Sequence, residues 1–217
     1  MFNQQELVLK VMGLIPSILS LTVHEWSHAW SAKMLGDDTA ERQGRLTLNP
    51  LVHIDPIGTI LLPLLGVPFG WAKPVPVNPL RFKRSVSMRT GMAITAFAGP
   101  ASNFVLAVLC AVSLGLWWRF SSVENLVASP VPRFLTNAVV LNLSLGLFNL
   151  LPVPPLDGSR IAYRFMSHRF PKAWAFLEDN ASLLLVGLFF GARYILATPL
   201  QVLLGALEHL IATIAQR

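Results

Sequence analysis

Residues 11–35 read VMGLIPSILSLTVHEWSHAWSAKML, an apolar run that ends in the turn His24-Glu25-Trp26-Ser27-His28. Side chains four apart on an α-helix share a face, so His24 and His28 can offer two imidazole nitrogens to one ion while Glu25 stands beside them. Tetrahedral Zn2+ takes such nitrogens, and His-Glu-x-x-His on a helix is a known arrangement for zinc-assisted hydrolysis. A shuffled chain with five His among 217 residues would contain the pattern about 0.003 times, so accident explains it poorly. Two imidazoles and a carboxylate in a segment this apolar need a reason to be there.

The whole chain is apolar in the same way. With 53% hydrophobic and 13% charged residues and a mean hydropathy of +0.57, it is too apolar for a soluble domain and is expected to be an integral membrane protein in contact with lipid. Cys110 is the single cysteine, which excludes an internal disulfide and a cysteine-based metal site. The net charge of +6 sits in short basic clusters between apolar runs, as in cytoplasmic loops. Phe and Trp fall within or beside the apolar runs, so nucleic acid is not an expected partner.

Read for length, the apolar runs predict an all-α polytopic protein forming one transmembrane domain over residues 1–217. Spans are expected at about 7–35, 90–118, 134–153 and 180–198, with a shorter fifth at 199–215 that either spans or lies along the interface. The first lacks a basic leader and a small-residue cleavage site, so it is expected to be retained. Trp26, Trp30 and Lys33 suit its interfacial end. Residues 46–70 are expected as a re-entrant hairpin or loop. Leu46 to Ile54 partly alternates like a strand, and Pro56 to Gly70 is too short and too broken by Gly58, Pro63, Gly66 and Pro68 to cross.

The loops Gly36 to Arg89 and Gly158 to Asp179 hold seven and four Lys/Arg, against two in Arg119 to Arg133. That asymmetry places the first two in the cytoplasm, the N-terminus outside, and the motif toward the cytoplasmic face of the cell membrane.

Few other ionisable residues lie near the spans. Asp157 follows a proline-rich break at the end of the third span, on the same side as His24 and His28. A catalytic zinc takes three protein ligands and keeps one position open, so Asp157 is either the third ligand or a turn residue before Gly158. Asn149, two turns earlier, is either an amide donor for a developing oxyanion or an interhelical hydrogen bond. Glu25 is placed to act as general base. His53 lies in the expected hairpin, where a turn role suits it better than a ligand role; His168 and His209 read as ordinary interfacial residues.

Taken together, His24-Glu25-x-x-His28, the Asn49-Pro50 to Gly58 segment, Gly99-Pro100-x-x-Asn103 and Asn149-x-x-Pro152-x-Pro154-x-x-Asp157-Gly158 resemble the site-2 protease family of intramembrane zinc metalloproteases. The resemblance covers Val11 to about Arg160. It implies one Zn2+ per chain on His24, His28 and Asp157, Glu25 as base, Asn149 stabilising the tetrahedral intermediate, and transmembrane proteins as substrates of regulated intramembrane proteolysis. PDZ and CBS modules carried by many relatives are not seen, so the compact prokaryotic-type branch is expected.

A peptide bond inside a helix is hidden by its own hydrogen bonds, so cleavage requires unwinding. The hairpin at Leu46 to Ile54 is expected to hold the unwound substrate by strand addition, and proline at Thr47 or Leu48 to slow cleavage without releasing zinc. Two other functions are weighed. A zinc transporter would bring paired broken helices and ionisable residues across the outer half, which are missing. A catalytically silent relative that only binds membrane proteins is disfavoured by the intact Glu25. Oligomeric state is not legible.

Overall fold

A computed structural model describes residues 4–65, 70–121, 129–167 and 169–216, and of these the side chains other than those of residues 4–12 and 189. Its main elements are α1 (Gln4–Met34), α2 (Met88–Phe120), α3 (Val131–Asn149), α4 (Asp157–Met166), α5 (Pro171–Asp179) and α6 (Ala181–Ala215). Among the described residues there is no strand. Met88–Phe120, Val131–Asn149 and Phe190–Ala215 are long and apolar enough to cross a membrane, and the protein is a multi-pass membrane protein.

Helix boundaries follow local chemistry. Ser87 caps α2 by accepting from the Thr90 amide, one of the donors left free at any helix start. Beyond Asn149 the chain meets Pro152, Pro154 and Pro155, which cannot continue a helix, so α3 stops and the chain turns toward α4.

α2 is the central element and touches α1, α3, α4 and α6. Its buried positions include Gly91, Ala93, Ala96, Gly99, Ala107, Ala111 and Gly115. A stripe of such small residues lets neighbouring helices approach closely, which is how helices associate where lipid is as apolar as the protein interior. Against it Ala107, Ala111, Leu114, Val139, Leu143 and Ile211 form one buried apolar cluster joining α2, α3 and α6.

The structure differs from the sequence reading in two places. Residues 46–54 make no strand: Asn49 accepts from the Leu51 amide and Pro50 opens a single 3-10 turn, Pro50–Val52. Proline and an Asx-type cap outweigh the partial alternation, and the expected strand addition by this stretch loses its structural basis. The segments expected at 180–198 and 199–215 form one continuous helix, α6, with Pro199 inside it. At 35 residues it is about 52 Å long, well beyond a hydrocarbon core of about 30 Å, so it must tilt or project.

In the stretch expected to be re-entrant, the residues on either side of 66–69 lie close together. Pro56–Leu61 and Leu62–Leu64 form short helical turns, and Thr59 Oγ1 donates to the Trp71 carbonyl at 2.8 Å. A Cβ on Gly58 would lie 2.6 Å from the Trp71 ring, so glycine is what lets the two limbs close. Residues 66–69, with the expected breaks at Gly66 and Pro68, lie outside the described residues.

Leu143→Ala removes a side chain only 3% exposed in the shared cluster. Core Leu→Ala changes cost about 2–5 kcal/mol in water, and the low end is expected here because lipid offers no hydrophobic driving force between helices. Thermal denaturation in detergent should show a lowered midpoint.

Candidate metal centre

The motif lies on α1 against Gly99 of α2. A Cβ on Gly99 would lie 2.4 Å from His28 Nε2 and 2.7 Å from His24 Cε1, so any larger residue would displace both rings. Asp157 arrives from the other side at the first turn of α4. A Cβ on Gly158 would sit 2.1 Å from the Leu150 carbonyl oxygen, so glycine allows the tight return that carries Asp157 back to α1. Ser159 Oγ holds that return by donating to the Leu156 carbonyl at 2.7 Å.

These elements bring three donor atoms to one point. His24 Nε2 and His28 Nε2 are 3.0 Å apart, and Asp157 Oδ2 is 3.2 Å from each. The other ring nitrogens are already committed: His24 Nδ1 lies 2.7 Å from Asn103 Oδ1, and His28 Nδ1 lies 2.7 Å from the Thr95 carbonyl oxygen. Both of those oxygens only accept, so each Nδ1 carries hydrogen and each neutral ring turns its Nε2 lone pair to the common point. Two lone pairs and a carboxylate oxygen so close repel unless a proton or a cation lies among them.

The set fits zinc. Zn–N bonds of about 2.0–2.1 Å give tetrahedral edges of roughly 3.3 Å, close to the observed 3.0 and 3.2 Å. Asp157 supplies the third donor through Oδ2, a carboxylate oxygen of the kind zinc takes beside imidazole nitrogens. Among the described residues, His24, His28 and Asp157 are the only such group of three or more that could hold a metal.

Glu25 is buried beside the histidines, and its Oε2 accepts from the Val75 amide at 2.8 Å. The chain that supplies this amide is itself tied down. Lys73 N donates to the His53 carbonyl at 2.8 Å, Arg45 Nη2 to the Lys73 carbonyl at 2.6 Å, and Asn78 N to Asp37 Oδ2 at 2.6 Å.

His53 thus serves the loop, with Nε2 2.8 Å from the Thr47 carbonyl oxygen, and stands outside the group of ligands. Asn149 Nδ2 donates to the Leu145 carbonyl of its own helix at 3.1 Å. His209 is exposed on α6, and His168 lies outside the described residues.

The sequence reading named His24, Glu25, His28, Asp157 and Asn149, and assigned no role to the Val75 amide, the Thr95 carbonyl or Asn142. Backbone partners leave no trace in a sequence. Asn142 could have been found, because an amide within an apolar span needs a buried partner.

Residues 120–190, which include Asn149 and Asp157, match the family model described as "Peptidase family M50". The chain is also 47% identical over 150 residues to the Bacillus subtilis protein named "Putative zinc metalloprotease YwhC", an alignment covering 68% of this chain and 66% of that relative. The chain is thus similar to peptidase family M50 over residues 120–190 and to a zinc metalloprotease relative over 150 residues. That likeness agrees with the resemblance to site-2 proteases. Relatives also described as putative zinc metalloproteases include Rip2 of Mycolicibacterium smegmatis, 37% identical over 65% of this chain and 52% of its own. Rip2 of Mycobacterium tuberculosis is 28% identical over 68% and 54%. The chain thus spans just under two thirds of YwhC and about half of the Rip2 proteins. No solved structure matches it. The names of these relatives and the donor set point to the same metal, Zn2+.

Gly99→Ala should displace both imidazoles and empty the centre of zinc while the helices still form. Metal analysis alongside circular dichroism checks this; full zinc occupancy would show that the rings do not need the glycine.

Proposed function

We propose that this protein is an intramembrane zinc metallopeptidase that hydrolyses peptide bonds within or next to transmembrane helices of other membrane proteins, in regulated proteolysis. The observation that carries the reading is the convergence of His24 Nε2, His28 Nε2 and Asp157 Oδ2 within 3.2 Å of one another, beside the Glu25 carboxylate. The whole chain acts in this reading as one transmembrane protease domain, with one Zn2+ on those three residues.

A zinc ion in such a site acidifies water and polarises a carbonyl oxygen. The protein's own groups supply the rest. Glu25, with Oε2 fixed by the Val75 N–H, keeps its other oxygen to take a proton from the attacking water and return it to the leaving amine. Asn149 uses one amide hydrogen on Leu145 O and keeps the second for the oxyanion that develops on the scissile carbonyl. Asp157 stays ionised and completes the donor set.

The Lys/Arg asymmetry supports a site facing the cytoplasm across the cell membrane. The substrate class rests on the setting. A buried site among helices able to cross a bilayer is reached most directly by a helix already in that bilayer, and a chain of this architecture shows lipid, not water, to much of its surface.

Purified wild type and Glu25→Gln, each with about one zinc, should be compared on a panel of single-span membrane proteins. Cleavage by wild type alone is expected, and cleavage by Glu25→Gln would remove it as the base. Zinc in both without cleavage in either would favour a binding protein. Asn149→Ala should keep zinc and lose about 10²–10³ in kcat. Unchanged turnover would leave Asn149 with its helix bond alone.

A further inference from the structure

The bond that orients His24 continues past Asn103 into a third helix. Asn103 Nδ2 donates to Asn142 Oδ1 at 3.0 Å, and Asn142 Nδ2 donates to the Ala138 carbonyl at 2.8 Å. Asn103 is 0% exposed, Asn142 2% and His24 5%, so water cannot stand in for a lost partner.

The chain of bonds has a direction, and its far end sets it. A backbone carbonyl only accepts, so the Ala138 oxygen must face the NH2 end of Asn142. That turns Asn142 Oδ1 toward Asn103, where an oxygen in turn demands an NH2. Asn103 Oδ1 is then left facing His24 Nδ1 at 2.7 Å, and an amide oxygen again only accepts. His24 must carry its hydrogen on Nδ1 and keep the Nε2 lone pair for the site. Flipping either amide would oppose two oxygens or two N–H groups in a buried place. His28 needs no such relay, because the Thr95 carbonyl meets its Nδ1 directly at 2.7 Å.

We infer that Asn142 is a positioning residue that acts through Asn103 to hold His24 in its Nδ1–H tautomer, with the Ala138 carbonyl setting the direction of the relay. Its consequence for metal rests on the proposed zinc centre, but the tautomer itself does not. Orienting partners of this kind typically alter metal affinity by about 10–100-fold when removed. The relay also joins α1, α2 and α3 at the level of the site, so the polarity of a ligand on one helix is set by a carbonyl two helices away.

The test uses protein labelled with 15N-histidine, with the His24 signals assigned by their loss in His24→Gln. Metal-free wild type, with His24 neutral, should show Nδ1 protonated and Nε2 unprotonated. Asn142→Leu should mix the two forms and weaken zinc binding, measured by chelator competition, by about 10–100-fold.

A conservative rescue separates orientation from packing. Asp accepts through both oxygens, so Asn103→Asp needs no orienting neighbour. Asn103→Asp combined with Asn142→Leu should restore the Nδ1–H form and most of the zinc affinity. Leu143→Ala, one residue along α3, should lower stability and leave both readouts unchanged.

An Nε2–H tautomer in wild type overturns the inference without any variant being made. So does an unchanged tautomer in Asn142→Leu, or a double variant as impaired as Asn142→Leu alone. Wild type with the expected tautomer but no zinc binding would sustain the relay and overturn the metal centre instead.

Discussion

Two imidazole lone pairs and a carboxylate oxygen held 3.0 to 3.2 Å apart are mutually repulsive, and they stay together only because the surrounding fold fixes each one separately. α1 supplies the histidines on one face, α2 supplies a glycine where a side chain would collide with them, and the turn after α3 returns an aspartate. None of these elements makes the arrangement alone. A cation turns the repulsion into attraction, so the site is stabilised by what it binds, and binding stabilises the packing of the helices that carry it.

The same constraint explains the polar groups buried along α2 and α3. Asn103 and Asn142 would be expensive in an apolar bundle if either were left unpaired. Linked to each other, to His24 and to the Ala138 carbonyl, they satisfy one another across three helices. The small residues of α2 serve a second purpose there: close helix approach makes amides on neighbouring helices short enough to reach each other. Packing and ligand orientation are thus two results of one pattern of small and amide residues.

Much of this was legible in the sequence because the informative patterns were local. His24, Glu25 and His28 lie within one helical turn and a half, and the prolines and glycine around Asp157 mark where a span must stop. The union of Asp157 with the histidines depended on counting spans, a weaker inference that the structure supports with distances. Strand character at Leu46 to Ile54 was misread because partial alternation was weighed above Asn49-Pro50, whose cap and fixed φ favour a 3-10 turn. The break expected near Pro199 failed for another reason. Proline removes one helix hydrogen bond, and an apolar helix with no water nearby gains little by unwinding to replace it. Val75 and Thr95 act through their backbones, where residue identity carries no signal.

The likeness to zinc metalloproteases and the donor set make zinc the expected metal, and the account stands on where that zinc sits. X-ray absorption at the zinc edge of the purified protein tests it most directly. The account predicts a single zinc environment of light N/O ligands at about 2.0–2.1 Å, with outer-shell scattering from two imidazoles. Scattering from one imidazole or none in zinc-loaded protein would contradict it.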